Sequence, residues 1–102
     1  MTIEIKKMGA DTVMELCGRL DTTTAPVLDK TISENISENT NLTLDLKGLE
    51  YISSAGLRVL LSAQKRMQKC GSMKLRNVCE EVMDVFEMTG FADILEFARW
   101  NL

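Results

Sequence analysis

From Leu42 the chain alternates, with Leu42, Leu44 and Leu46 separated by Thr43 and Asp45, and this two-residue period predicts a strand with one strongly apolar face. After Gly48 the period changes. A tight connection then leads to a helix in which Ala55, Leu57, Leu60, Leu61 and Met67 share a broad face, with Arg58, Ser62, Lys65, Arg66 and Lys69 on the other at spacings of three and four. Gly71 reads as its left-handed stop. Upstream, Ile3 and Ile5 alternate with Glu4 and Lys6, and after a turn at Gly9, Ala10 and Asp11 the pattern resumes from Val13 to Leu16, which predicts a hairpin.

The remaining segments read in the same way. A threonine run delivers Pro26 into the first turn of a helix, where its missing N–H costs little; Thr23 or Thr24 is the natural cap, and Leu28, Ile32 and Ile36 form the buried stripe. Asn39 to Asn41 supply a turn before the central strand. Beyond Gly71, Met73 and Leu75 alternate with Lys74 and Arg76, and a further helix carries Cys79, Val82, Met83 and Phe86 before closing at Gly90. Phe91, Ile94, Leu95, Phe97 and Trp100 make an apolar tail, expected as a short turn and a final strand or docked segment. Met8, Met14, Met67, Met73, Met83 and Met88 read as core or flanking gap-fillers. Strands alternating with helices predict an α/β fold with a mixed sheet, its N-terminal hairpin antiparallel and its βαβ crossovers parallel, covered by helices.

Ser53 and Ser54 lie between the central strand and its helix. Short hydroxyls suit a helix start, because the first backbone N–H groups have no partner inside the helix. The same place, with free N–H donors and the positive end of the helix dipole, also tolerates an anion such as a phosphoryl group. Position alone does not choose between cap and switch. Asp21, in the segment Gly18-Arg19-Leu20-Asp21, reads on its own chemistry as a turn or capping aspartate.

Composition narrows the functional classes. The 102 residues suit one domain, taken as 1–102, and 45% apolar with 26% charged residues is ordinary for a folded chain. A net charge of −3 argues against a nucleic-acid surface. The basic face of Arg58, Lys65, Arg66 and Lys69 reads as solvated, with partner docking as the other reading. No segment resembles a signal peptide or a membrane span, so a cytoplasmic protein without membrane insertion is expected. Cys17, Cys70 and Cys79 have no metal-site or disulfide spacing and read as buried or semi-buried thiols. There is no histidine, which removes the common nucleophile–base pairs and most zinc and iron sites. A binding protein with no metal or cofactor is expected, not an enzyme.

Three motifs in order resemble the STAS domain of bacterial anti-sigma factor antagonists. In that family a strand ending D-L-x-x-[LV] leads to a D-S-[ST]-G-[LI] loop; here Asp45, Leu46 and Leu49 match the first, and Ser54, Gly56 and Leu57 the second. Ser53 stands where the family has Asp, and Ala55 where it has Ser or Thr. Gly18, Leu20, Asp21 and Ala25 match the family's G-x-[LIF]-D element and helix-opening alanine, and Phe86 to Phe91 match F-x-x-[ST]-G-[LF]. The resemblance implies phosphorylation at Ser54, with Ser53 as competitor, and a partner-binding surface of Asp21, Ser53, Ala55, Gly56, Leu57 and Arg58, Asp21 lying near the loop. It implies as partners an anti-sigma factor serine kinase of histidine-kinase-like ATPase fold, captured when the serine is free and released when it is modified, and a PP2C-type phosphatase. Alternatives are a phosphorylation-independent STAS scaffold or the cytoplasmic subunit of a lipid-transport ATPase, and, more remotely, a small phosphoryl or thiol transferase.

Overall fold

The computed structural model describes residues 1–98, so the expectation for Trp100 lies outside the described residues. Within them the order is β1 (Thr2–Met8), β2 (Asp11–Leu20), α1 (Ala25–Asn35), β3 (Thr40–Ile52), α2 (Ser54–Cys70), β4 (Gly71–Arg76), α3 (Glu80–Thr89) and a 3-10 turn at Phe91–Asp93. The strands form one sheet in the order β1-β2-β3-β4. β1 and β2 are antiparallel around the Gly9–Ala10 turn, where Gly9 has φ +61°, while β2–β3 and β3–β4 are parallel. The mixed α/β sheet is the one the alternation predicts.

Both crossovers, β2-α1-β3 and β3-α2-β4, step across the sheet in the same direction. Right-handed crossovers therefore put α1 and α2 on one face. Met14, Leu16, Leu42, Leu44, Met73 and Leu75 point from the strands into that face, meeting Leu28 and Ile32 of α1, Leu57, Leu60 and Met67 of α2, and Phe86 of α3. Each buried side chain of this size contributes roughly 1.5–3 kcal/mol, so the core holds the layers together. Arg66 of α2 pairs with Asp29 of α1 at 3.5 Å and donates to the Ser33 hydroxyl at 2.8 Å, so the basic face is partly an inter-helix contact rather than only a solvated one. Among the described residues no helix lies over the other face of the sheet, which carries Glu4, Lys6, Glu15, Thr43 and Lys74.

Two expectations about β3 need correction. The strand does not give way after Gly48; it continues to Ile52, because its register against β2 slips twice, Glu15/Asp45 being followed by Cys17/Gly48, and Gly18/Leu49 by Arg19/Tyr51. Each slip inserts one residue into β3, a β-bulge. Apolar positions at 42, 44 and 46 are thereby followed by 49 and 52, all facing inward. The first bulge is held by Asp45, whose carboxylate accepts from the Lys47 amide at 3.0 Å, Arg76 Nε at 3.1 Å and Asn77 Nδ2 at 3.2 Å. Asp45 is only 7% exposed. Asn41, expected in a turn, lies in the strand, and within the expected turn it is Asn39 that takes a positive φ.

The helix ends also differ in mechanism from the expectation. α1 begins after Thr24, whose side chain makes no cap bond; the Asp21 carboxylate takes the Thr23 and Thr24 amides just before the helix, and the Asp21 carbonyl takes the Ala25 amide that opens it. Gly71 is not a left-handed stop of the usual kind: at φ 157° and ψ −117° it passes so close to the Thr40 carbonyl that a Cβ would collide with that oxygen. Gly90 does close α3 in the left-handed region, at φ 81°. Ile36 caps α1 half-buried, and Cys17 is exposed where a buried or semi-buried thiol was expected. Met8 and Met88 lie on the surface, 79% and 86% exposed. The tail turns at Phe91–Asp93, buries Leu95, and pairs once with β4 at Leu75/Phe97.

Candidate functional site

The second bulge carries the end of β3 past the end of β4 and beside the end of β2, where Leu20 and Ile52 are paired and the Ser53 amide donates to the Leu20 carbonyl at 2.8 Å. Two parallel strands thus deliver their following loops, Asp21–Thr24 and Ser53, side by side. Loops held by a rigid sheet in this way are where binding groups are commonly displayed. Asp21 and the serine pair, far apart in sequence, thus follow neighbouring strand ends.

The two serines occupy different chemical situations. Ser53 is the cap of α2: its backbone is extended, its Oγ accepts from the Gly56 amide at 3.3 Å, and its carbonyl receives the Leu57 amide at 2.9 Å. Ser54 is the first residue of the helix, exposed, and its hydroxyl makes no hydrogen bond among the described residues. Ala55 is half-buried against the core. Gly56 is buried because the helix start presses onto β2 and β3, and a Cβ there would lie 2.6 Å from Leu20 Cγ and 3.0 Å from Ile52 Cγ1. Leu57 inserts behind it, 5% exposed. Gly56 and Leu57 therefore fix the loop from beneath and present little of themselves outward.

Arg58 is exposed, one helical turn after Ser54, and forms no ion pair among the described residues. Residues four apart share a helix face, so the Arg58 guanidinium lies on the same side of α2 as the Ser54 hydroxyl. Asp21 is held tightly. Its Oδ1 accepts from the Thr23 hydroxyl at 2.7 Å, the Thr23 amide at 3.0 Å and the Thr24 amide at 3.1 Å. The Thr23 hydroxyl first, then the Thr24 amide, stabilise the ionised form against a smaller desolvation penalty, and the carboxyl sits below the usual aspartate value. Thr24 Oγ1 completes the loop by accepting from the Asp21 amide and donating to the Arg19 carbonyl, both at 2.8 Å.

One feature of this surface escaped the sequence reading. Arg19 and Tyr51 are cross-strand partners, and the guanidinium carbon stands 4.1 Å above the ring centroid. They immediately precede the Leu20/Ile52 pair, so they flank the loops. The signal was available in principle: the chain has a single tyrosine, two residues before the serine pair. Among the described residues there is no group of three or more potential metal ligands, and no helix is long and apolar enough to cross a membrane.

The family model of the STAS domain matches residues 2–100. The anti-sigma-B factor antagonist of Bacillus subtilis is 29% identical over 99 residues, spanning 96% of this chain and 91% of that protein. Among solved structures, an anti-sigma factor antagonist from Mycobacterium paratuberculosis superposes with a TM-score of 0.80 at 21% identity, covering 96% of this chain and 85% of the other. The phosphorylated form of the Bacillus cell fate determinant SpoIIAA gives 0.71 at 17% identity, covering 97% and 93%. These structural likenesses concern the fold.

Proposed function

The chain belongs to the STAS domain family, and from that footing we propose that it is an anti-sigma factor antagonist, a binding module switched by phosphorylation of Ser54. The observation that carries this reading is the division of labour between the serines. Ser53 is occupied as the cap, whereas Ser54 offers an exposed, unengaged hydroxyl on the same helix terminus, beside Asp21. The names of the relatives support the antagonist role, and SpoIIAA, a protein of the same fold, is known in a phosphorylated form.

In this reading the unmodified surface of Asp21, Ser53, Ser54, Ala55 and Arg58, with Gly56 and Leu57 beneath, captures an anti-sigma factor that is itself a serine kinase of histidine-kinase-like ATPase fold. The kinase modifies Ser54 and is released, and a PP2C-type phosphatase restores the free hydroxyl. The protein is a substrate in that cycle and supplies no catalytic group or cofactor.

Magnitudes favour release over unfolding. A phosphate at a helix N-terminus gains about 0.3–1 kcal/mol from the dipole, and Arg58, one turn on, adds about 0.3–0.5 kcal/mol. A phosphate charge held about 4 Å from a partner carboxylate costs about 4 kcal/mol at an effective dielectric near 20, nearly three decades of affinity. Modification thus weakens the interface and leaves the fold standing. The test is the intact mass of the protein from its native cells, with mapping of the Leu49–Arg58 peptide. One phosphoryl group on Ser54 supports the switch. An unmodified peptide, even after incubation with the captured kinase and ATP, refutes it and favours a phosphorylation-independent scaffold.

A further inference from the structure

The two edges of the sheet are treated differently. At β4 the tail covers the edge, the Leu75 amide donating to the Glu96 carbonyl at 2.9 Å and the Ala98 amide to the Leu75 carbonyl at 2.7 Å. β1, at the other edge, has seven residues, all exposed except the half-buried Ile3, and among the described residues pairs only with β2. An open, regular edge of that length is a template for another strand. Ile5, 38% exposed, lies at its centre.

We propose that β1 is a homotypic docking edge: two copies of this chain pair β1 with β1, antiparallel, about a two-fold axis at Ile5, joining two four-stranded sheets into one. The register follows from geometry and charge. Residues directly opposite in an antiparallel pair share a face, so a two-fold perpendicular to the sheet must pass through a residue and its own copy. Centring on Ile5 pairs all seven residues, Thr2 with Met8, Ile3 with Lys7, Ile5 with Ile5, and Glu4 with Lys6 twice over. Centring one residue earlier sets Glu4 against Glu4, and one residue later sets Lys6 against Lys6; both also pair fewer residues. One register alone combines full length with opposite charges.

A second observation concerns Glu4. Within the hairpin it stands directly opposite Glu15, a like-charge arrangement that is unfavourable in a sheet. Lys6 pairs with Glu15 at 3.4 Å, and among the described residues Glu4 has no cation of its own. The Lys6 of a second copy supplies it. Because the two-fold reverses every strand of the second copy, it places the serine junctions at opposite ends of the joined sheet, each open. The proposal is independent of the phosphorylation switch.

Sedimentation velocity of the full chain from about 10 μM to about 1 mM tests it, a range that spans weak homodimers. The wild-type mass is expected to rise from 11.4 kDa toward twice that value. Glu4→Lys and Lys6→Glu each place like charges opposite one another twice, and each should self-associate about tenfold more weakly or worse. An equal mixture of the two single variants, and the double variant Glu4→Lys/Lys6→Glu, should recover association, because opposite charges again face across the axis. That recovery also shows that the single variants are folded. A wild-type protein that stays at 11.4 kDa throughout overturns the proposal. So does a dimer that both single variants leave unchanged, since its interface then lies elsewhere.

Discussion

At the level of single residues, the serine junction separates a group that holds the fold from one that faces outward, though the two are neighbours. Ser53→Ala removes the acceptor of the Gly56 amide, and loss of such a cap costs about 0.5–2 kcal/mol; for a domain of this size a thermal melt should fall by about 4–8 °C per kcal/mol. Ser54→Ala removes no side-chain bond among the described residues and should melt within about 0.5 kcal/mol of wild type. In the proposed switch, Ser54→Asp should melt near wild type and lose the anti-sigma factor in a pull-down. A large fall in its melting temperature would contradict the account of release. Asp21→Asn weakens the charge-assisted bonds from Thr23 and Thr24, and amide exchange at those two residues should quicken while the sheet's exchange is unchanged.

Among the elements, periodicity revealed the strands and helices but not the devices that aim them. The hairpin, the apolar stripes of α1, α2 and α3, and the serine cap were legible because each rests on local spacing. The bulges in β3 were not, since one inserted residue looks like the end of an alternating strand unless its partner strand is known. Gln64 reads as a polar helix position, yet it is 1% exposed, its Nε2 donating to the Met73 carbonyl at 3.4 Å and its Oε1 accepting from the Glu96 amide at 3.1 Å. Only the tertiary arrangement gives it that role as the clasp of the tail. Asp21 was legible as a turn aspartate, but its nearness to Ser53 depends on two parallel strands ending together. Gly56 is the clearest point where element packing sets the site. Gly56→Ala must push Leu20 and Ile52 apart, so it should cost about 1–3 kcal/mol in chemical denaturation, and it should weaken partner capture beyond that loss by shifting the start of α2.

Across the whole molecule, stability should depend on pH through the carboxylates that tie separate parts of the sheet together. Asp45 links the first bulge of β3 to the end of β4 through Lys47, Arg76 and Asn77. Burial works to raise its pKa, but the Lys47 amide, the Asn77 amide group and the Arg76 guanidinium outweigh it, and the carboxyl ends below the ordinary aspartate value of 3.8. Asp21 is depressed as well. A depressed folded pKa means that the unfolded chain binds protons first on acidification. The contribution is therefore complete well above 3.8, begins to fade near that value, and is lost as the pH falls through the folded pKa. Denaturant midpoints should accordingly hold steady from about pH 7 to about pH 5 and fall below that. Asp45→Asn keeps an acceptor for the Lys47 amide but gives up the charge-assisted bond from Arg76, and should cost about 1–3 kcal/mol at neutral pH. Because that residue no longer titrates, the variant should also lose less stability between pH 5 and pH 3 than the wild type does. Parallel acid limbs in the two proteins would mean that Asp45 binds its proton equally well folded and unfolded, and that its charge does nothing to hold the first bulge of β3.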